Sequence, residues 1–194
     1  MKNMDKTKLQ TLKGFRDFLP EDTRKREYII RKLSEVFERF GFEQIQTPTL
    51  EYADVILNKY GKESNKLVYT FKDLGGRKVA LPYDLTVPTA RVLAQYKDLP
   101  RYFRRYQIQN VFRADKPQKG RYREFTQCDI DIFGSKGSLA DAEIIACTYF
   151  AFESIGYPSI VIKINDRQTL IKTVSPFSKK NITTLSIIQS LDKL

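Results

Sequence analysis

Apolar residues first recur at helical spacing between residues 21 and 40, directly after Pro20. The apolar stripe consists of Ile29, Leu33, Val36, Phe37 and Phe40. This period predicts an amphipathic helix that buries one face. Gly41 follows the stripe and suits the left-handed position that commonly ends a helix.

Two further helices are predicted later in the chain. One covers residues 86–96, with Thr86 as its N-cap, because a threonine hydroxyl can accept a hydrogen bond from a free N–H group of the first turn. The other covers residues 138–155, where Ser138 and Asp141 have nearly the spacing of a capping box.

Strands are predicted where the apolar period shortens to two or where β-branched residues cluster. Residues 42–48 predict a short strand, and residues 159–164 predict a β-branched one. Residues 69–72 and 78–81 flank a glycine-containing turn at 73–77, which is typical of a hairpin.

The clearest alternation covers residues 106–113 and 123–133, separated by a polar loop at 114–122. Two such strands predict an antiparallel hairpin. On the second strand Cys128, Ile130 and Ile132 should share one face, and Arg123, Phe125, Gln127, Asp129 and Asp131 the other. On the first strand Ile108 and Phe112 should oppose Gln107, Gln109 and Arg113.

One face of this hairpin therefore collects amides, carboxylates, an arginine and an aromatic ring. The cations lie near the loop, and the carboxylates and amides lie farther from it. This gradient favours the floor of a site for a polar ligand that carries both phosphate and ammonium groups. The alternative is an ordinary solvent-facing sheet surface.

Composition and length place these elements in one soluble domain or a large piece of one. The chain has 194 residues, 41% hydrophobic and 29% charged. It contains no apolar run of membrane-spanning length, and its first ten residues do not resemble a secretion signal, so we expect a cytoplasmic protein. Cys128 and Cys147 have no metal-ligand spacing and are expected to be reduced structural thiols.

The formal net charge is +11, and much of the excess lies between residues 97 and 123, with nine basic and two acidic residues. Such a stretch favours a nucleotide or nucleic acid, although a solvated basic face would have the same composition. The chain has no histidine. Its absence excludes nucleophile–histidine pairs, imidazole bases and histidine-ligated metals.

The loop and its flanks resemble a known sequence motif. Residues 112–115 (FRAD) and 117–125 (PQKGRYREF) resemble motif 2 of class II aminoacyl-tRNA synthetases in its histidyl-tRNA synthetase form. Residues 14–20 are similar to the opening of that family, and residues 41–51 to its motif 1, with Pro48 at the dimer interface. Residues 83–88 (YDLTVP) are similar to its histidine-binding segment.

The resemblance implies roles for individual residues. Arg113 would be the catalytic residue that holds the α-phosphate of ATP, Arg121 would reach the γ-phosphate, and Phe125 would stack on adenine. Asp115 would contact ATP from the loop. The residues implied for histidine binding are Asp84, Thr86, Gln127 and Asp131. Mg²⁺ would accompany ATP, and no residue is assigned as a metal ligand.

The resemblance also implies an α/β (α+β) fold with a mixed, mainly antiparallel sheet flanked by helices. Residues 1–194 would be the N-terminal portion of the catalytic domain, with motif 1 at about 36–51 and motif 2 at about 104–133. Motif 3 and the anticodon-binding domain are absent from the sequence, so we expect weak ATP binding and poor aminoacylation. The parent enzyme would be a homodimer that acts on L-histidine, ATP and tRNA-His.

Two positions depart from the family pattern, and two alternatives stay open. Pro82 replaces a usual arginine, and Thr126 replaces a frequent histidine or tyrosine. One alternative is a histidine-sensing regulatory subunit of ATP phosphoribosyltransferase, which would not need Arg113, Arg121 and Phe125 together. The other is a non-catalytic dimerisation or RNA-binding module.

Overall fold

The structure, a computed structural model, describes residues 9–57 and 67–191. The chain divides into two compact units, Met1–Pro158 and Ser159–Leu194. The helices are α1 Pro20–Arg39, α2 Ala53–Leu57, α3 Thr86–Gln95, α4 Ser138–Ser154, α5 Arg167–Val174 and α6 Thr184–Leu191. The strands are β1 Glu43–Gln44, β2 Glu51–Tyr52, β3 Thr70–Lys72, β4 Lys78–Ala80, β5 Phe103–Phe112 and β6 Glu124–Phe133.

The first unit contains two three-stranded sheets. In one, β5 lies between β1, which is parallel to it, and β6, which is antiparallel to it. In the other, β4 lies between β2 and β3, and both pairings are antiparallel. The predicted mixed, mainly antiparallel fold with flanking helices is therefore confirmed, as are the hairpin at the centre and the smaller one around residues 73–77.

Helices α1 and α4 cover the apolar face of the β5–β6 hairpin. Val36 and Phe37 of α1 and Cys147 and Ala151 of α4 are buried together with Tyr106 of β5. The isoleucines of the hairpin pack against this cluster, namely Ile108, Ile130 and Ile132. The predicted division of the hairpin into an apolar and a polar face is correct.

Helix α1 is predicted almost to the residue, but its apolar stripe is only partly buried. Leu33, Val36, Phe37 and Phe40 belong to the core cluster, whereas Ile29 is 42% exposed. Burial is thus confined to the second half of the helix. Gly41 has φ +75 and ends the helix as predicted, since a left-handed residue is least strained when it is glycine.

Two predicted N-caps are wrong. Thr86 is the first residue of α3, and the Oδ1 of Asp84 accepts the N–H of Val87 at 3.0 Å, so an aspartate two residues earlier does what the threonine was expected to do. Ser138 is likewise inside α4, whose N-cap is Gly137 without a side-chain hydrogen bond. An N-cap residue has non-helical backbone angles, whereas Thr86 and Ser138 are already inside their helices.

Two predicted strands are shorter or absent. The segment 42–48 contributes only β1, although the N–H of Ile45 also donates to the Tyr106 carbonyl at 3.0 Å; Pro48 has no N–H to continue the ladder. Residues 159–164 form no strand, and Val161 and Ile164 are 84% and 75% exposed. A β-branched segment forms a strand only where a neighbouring backbone pairs with it through hydrogen bonds.

The second unit is helical. Asp166 caps α5 by accepting the N–H of Thr169 at 2.7 Å, a bond that lowers the pKa of the Asp166 carboxyl. A 3₁₀ turn, Ser175–Phe177, follows α5 and precedes α6. None of the helices in the described residues of either unit is long and apolar enough to cross a membrane.

Candidate functional site

A cavity of about 890 Å³ lies in the first unit beside the loop that joins β5 to β6. It is lined by Arg16, Arg26, Tyr83, Arg113, Asp115, Lys116, Pro117, Gln118, Gly120, Arg121, Tyr122, Phe125 and Thr126. All four residues implied for ATP binding belong to this lining: Arg113, Asp115, Arg121 and Phe125. The hairpin brings them together because its two strands end at the same loop.

Arg113 follows β5 directly, and its guanidinium lies between two aromatic rings. Its Cζ is 4.7 Å from the ring centroid of Tyr83 and 4.9 Å from that of Phe125. The Nε donates to the Tyr83 carbonyl at 3.3 Å, and Nη2 donates to Oε1 of Gln127 at 3.4 Å. Stacking holds the plane of the guanidinium while N–H groups at its edge remain available to an oxyanion.

The loop itself is shaped by a tight turn at its tip. The N–H of Arg121 donates to the Gln118 carbonyl at 2.9 Å, and the N–H of Gln118 donates back to the Arg121 carbonyl at 3.2 Å. Gly120 supplies the positive φ of +78 that the turn requires. Arg121 and Asp115 are exposed at the rim of the cavity, where a ligand can reach both side chains.

Arg123 fastens the base of this loop to the N-terminal segment. Its Nε donates to the Asp115 carbonyl at 3.1 Å, and its backbone N–H donates to the Gly14 carbonyl at 2.8 Å. A Cβ on Gly14 would lie 2.9 Å from the Arg123 Cγ. The close approach of glycine and arginine therefore fixes where the loop leaves β5 and enters β6.

None of the four residues implied for histidine binding lines the cavity. Gln127 contacts Arg113, and its Nε2 donates to Oδ1 and Oδ2 of Asp129 at 3.0 and 2.8 Å. Asp131 forms an ion pair with Arg105. Asp84 is used in the cap of α3, and Thr86 is exposed.

Several carboxylates nevertheless share one electrostatic neighbourhood. Burial raises the pKa of Asp129, the hydrogen bond from Gln127 and the charge of Arg105 oppose that rise, and the carboxylates of Asp131 and Asp84 add to it. A cationic group placed here would relieve the mutual repulsion of the three acids. This end of the site thus favours an ammonium group, in contrast to the cationic loop.

Sequence reasoning missed the residue that organises these acids. Arg105 is fully buried, with its Nη2 paired to Asp131 and 4.0 Å from Oδ2 of Asp129. The predicted strand began at Tyr106, whereas β5 begins at Phe103. Extending the alternation by one step would have placed Arg105 on the polar face.

A buried amide network lies beside Arg105 on the same face. Gln107 is fully buried, and its Nε2 donates to Oγ1 of Thr47 and to Oε1 of Gln109, both at 2.8 Å. Gln109 in turn donates to the Thr47 carbonyl at 2.8 Å. Gln107 and Thr47 are therefore covered by protein, whereas Asp129 and Asp131 on the same face stay 21% and 33% exposed.

Cys147 is fully buried, which raises the pKa of its thiol to about 11, and it stays protonated at neutral pH. Both cysteines are free thiols. Cys147 belongs to the buried core cluster, as expected of a structural thiol, whereas Cys128 is exposed.

Comparison with known proteins gives one consistent family. The model of the histidyl-tRNA synthetase family matches residues 14–188. A histidine–tRNA ligase of Gloeobacter violaceus is 43% identical over 96% of this chain and 46% of its own length. A histidine–tRNA ligase of Wolinella succinogenes is 45% identical over 95% of this chain and 42% of its own length. The chain thus spans under half the length of these curated relatives.

Solved structures agree with the sequence matches. The histidyl-tRNA synthetase of a Nostoc species superposes with a TM-score of 0.79 at 32% identity and covers 95% of this chain and 43% of its own. A Bacillus halodurans protein, described as an ATP phosphoribosyltransferase regulatory subunit/histidyl-tRNA synthetase, gives a TM-score of 0.69 at 29% identity and covers 77% of this chain and 39% of its own.

Proposed function

The chain belongs to the histidyl-tRNA synthetase family, and on that basis we propose that it is part of a histidine–tRNA ligase. Its cavity would bind ATP, and the acidic part of the polar hairpin face would bind histidine. The observation that carries the proposal is the position of Arg113. This guanidinium contacts Phe125 on the side of the basic loop and Gln127 on the side of the carboxylates. It lies where a nucleotide and an amino acid would meet.

The reaction needs no nucleophile from the protein. A carboxylate oxygen of histidine attacks the α-phosphorus of ATP, the bond to the bridging oxygen breaks, and pyrophosphate leaves with the bonding electrons. Arg113 would neutralise charge on the α-phosphate, and Arg121 would hold the γ-phosphate. Positioning and charge neutralisation supply the rate, which fits a chain without histidine.

Mg²⁺ would enter as part of the nucleotide substrate. Among the residues that the structure describes, no group of three or more acidic, histidine or cysteine side chains could hold a metal ion. Asp115 is the acidic member of the cavity lining. Phosphate oxygens and water would therefore supply most of the magnesium ligands, as is common for Mg²⁺ with nucleotides.

The ammonium group of histidine would lie at the acidic end of the site. Gln127 and Asp131, with Asp84 and Thr86 from the start of α3, are the proposed ligands. Burial is the main cause of the raised pKa of Asp129, and the carboxylates of Asp131 and Asp84 add to it. These three acids support the position, because a bound cation would offset their negative charge. Arg105 would orient the Asp131 carboxylate through their ion pair.

Other features of the proposal concern the whole enzyme. The product of the first step would be passed to the 3′ end of tRNA-His, and the enzyme would act in the cytoplasm. A homodimer would form through the region of Pro48. Exposed apolar side chains support such an interface, since Leu50 and Tyr52 are 47% and 60% exposed next to the exposed Pro48.

Isothermal titration with ATP, histidine and a non-hydrolysable histidyl-adenylate mimic tests the proposal. A ligase site binds the mimic more tightly than either substrate, because the mimic joins both ends of the site. A regulatory subunit would bind histidine alone, and a dimerisation or RNA-binding module none of the three ligands. Arg113, Arg121 and Phe125 together favour the ligase, because a histidine sensor has no need for a nucleotide loop.

A further inference from the structure

Two arginines outside the assigned nucleotide ligands also line the cavity. Arg16 comes from the segment before α1, and Arg26 comes from the second turn of that helix. The Cζ of Arg16 is 3.3 Å from the ring centroid of Tyr122 and 4.9 Å from that of Phe18. The Cζ of Arg26 is 3.9 Å from the same Phe18 ring. Tyr122, Arg16, Phe18 and Arg26 thus form a stack in which aromatic rings and guanidinium groups alternate.

This stack orients both guanidinium groups and leaves donors unused. Nη2 of Arg26 donates a hydrogen bond to Oγ1 of Thr126 at 2.5 Å, whereas Arg16 donates to no protein acceptor in the described part of the chain. Neither has a carboxylate oxygen within 4.0 Å among the described residues. A guanidinium that is stacked through its faces keeps the N–H groups of its edge for a planar or tetrahedral oxyanion.

The charge of the cavity exceeds what one bound nucleotide needs. Its lining has five cations, Arg16, Arg26, Arg113, Lys116 and Arg121, against the single acid Asp115. None of these five cations forms an ion pair with a described residue. Because Mg²⁺ neutralises much of the charge of a triphosphate, the lining has cationic capacity left for a further phosphate.

The N-terminal segment is hydrogen-bonded to the loop near Arg16, so this arginine is placed before a ligand binds. The Gly14 carbonyl accepts the N–H of Arg123 at 2.8 Å, and Nη1 of Arg123 donates to the Lys13 carbonyl at 3.4 Å. Arg16 is two residues from the hydrogen-bonded Gly14, and its guanidinium lies over the ring of Tyr122. A cation that is already placed loses less side-chain entropy when it binds an anion.

We propose that Arg16 and Arg26 form a second phosphate-binding subsite at the wall of the cavity, beside that of Arg113 and Arg121. Its ligand is a phosphate ester, which comes either from the terminal phosphates of the nucleotide or from the backbone at the end of a bound RNA. The inference rests on the proposed function, since it takes Arg113 and Arg121 as ligands of the nucleotide.

The test compares Arg16→Gln and Arg26→Gln with a matched control, Arg24→Gln. Arg24 is an exposed cation of α1 outside the cavity lining, so its loss changes net charge alone. Titration calorimetry on the full 194-residue chain measures binding of ATP and pyrophosphate, and fluorescence anisotropy measures binding of a labelled single-stranded RNA trinucleotide. Circular dichroism melting verifies that each variant is folded.

Loss of one arginine–phosphate contact weakens the affinity roughly tenfold or more. A loss for ATP and pyrophosphate identifies the nucleotide as the source of the phosphate, and a loss for the RNA alone identifies the RNA; either supports the subsite. The proposal is overturned if both variants bind every ligand as Arg24→Gln does, or if the wild-type chain binds none of them. Failure of the proposed function is separate, because it would leave pyrophosphate or RNA binding intact while the histidyl-adenylate mimic does not bind.

Discussion

Replacing Arg105 by methionine removes the guanidinium that faces the carboxylates of Asp129 and Asp131. Arg105 has no solvent exposure, and it pairs with Asp131 while lying 4.0 Å from Asp129. Methionine keeps much of the aliphatic volume, so the change is mainly electrostatic. The variant retains two acids, one of them buried enough to have a raised pKa, without their counter-ion.

The expected loss in the free energy of unfolding depends on how far Asp129 and Asp131 are buried. Removing one member of a buried ion pair costs about 3–5 kcal/mol. The side chains of Asp129 and Asp131 are 21% and 33% exposed, which lets water reach them, so we expect the lower end, about 3 kcal/mol. With an m-value of about 2 kcal/mol per molar urea, the midpoint should fall by about 1.5 M.

Urea unfolding followed by far-ultraviolet circular dichroism measures this cost, since the chain has no tryptophan for fluorescence. Arg104→Met is the matched control: its partner Glu143 is 2.8 Å away, but the two side chains are 35% and 30% exposed, so the cost should be about 1 kcal/mol. The Arg105→Met deficit should shrink as pH falls through the raised pKa of Asp129, because protonation removes the charge of this partly buried acid. Equal losses of unfolding free energy in the two variants, or a loss that does not change with pH, would show that Arg105 does not neutralise these acids.

Three other substitutions give separate tests. Tyr106→Phe removes the hydroxyl that donates to Glu38 at 2.8 Å and should lower the free energy of unfolding by about 1 kcal/mol in urea titration, whereas no loss would contradict this contact. Gly134→Ala should cost more than about 2 kcal/mol, because φ is +84 and a Cβ would lie 1.8 Å from the Arg101 carbonyl oxygen; a melting temperature equal to wild type would be the contrary result. Burial raises the pKa of Asp129 above its unfolded value, so the stability of the folded chain decreases as pH rises from about 4 through the raised pKa. Asp129→Asn should make the melting temperature depend less on pH between about pH 4 and 8.

The periodic elements of this fold were predictable because their side chains alternate between two environments. The β5–β6 hairpin, with Ile130 in the core and Gln127 on the polar face, follows directly from a period of two. The start of β5 did not, because Arg105 is a charged residue that the surrounding fold buries against two acids. Pattern reasoning assigns such a residue to the surface, and only the tertiary partners reverse that assignment.

The candidate site divides in the same way. Local spacing placed Arg113 and Phe125 at the open end of the hairpin, and both line the cavity. The contributions of Arg16 and Tyr83 depend on segments far from the hairpin in sequence, so no spacing within the hairpin predicts them. The cap of α3 by Asp84 is local, yet threonine and aspartate are similar enough as caps that the sequence favoured the wrong one.

The proposed role of Arg113 is tested by the affinity of Arg113→Gln for the histidyl-adenylate mimic, measured by titration calorimetry beside Arg24→Gln. We expect Arg113→Gln to bind the mimic at least about tenfold more weakly than wild type, because one guanidinium contacts the phosphate between the two halves of the ligand. Arg24→Gln should bind it as wild type does. Wild-type affinity in a folded Arg113→Gln variant would show that Arg113 does not hold this phosphate.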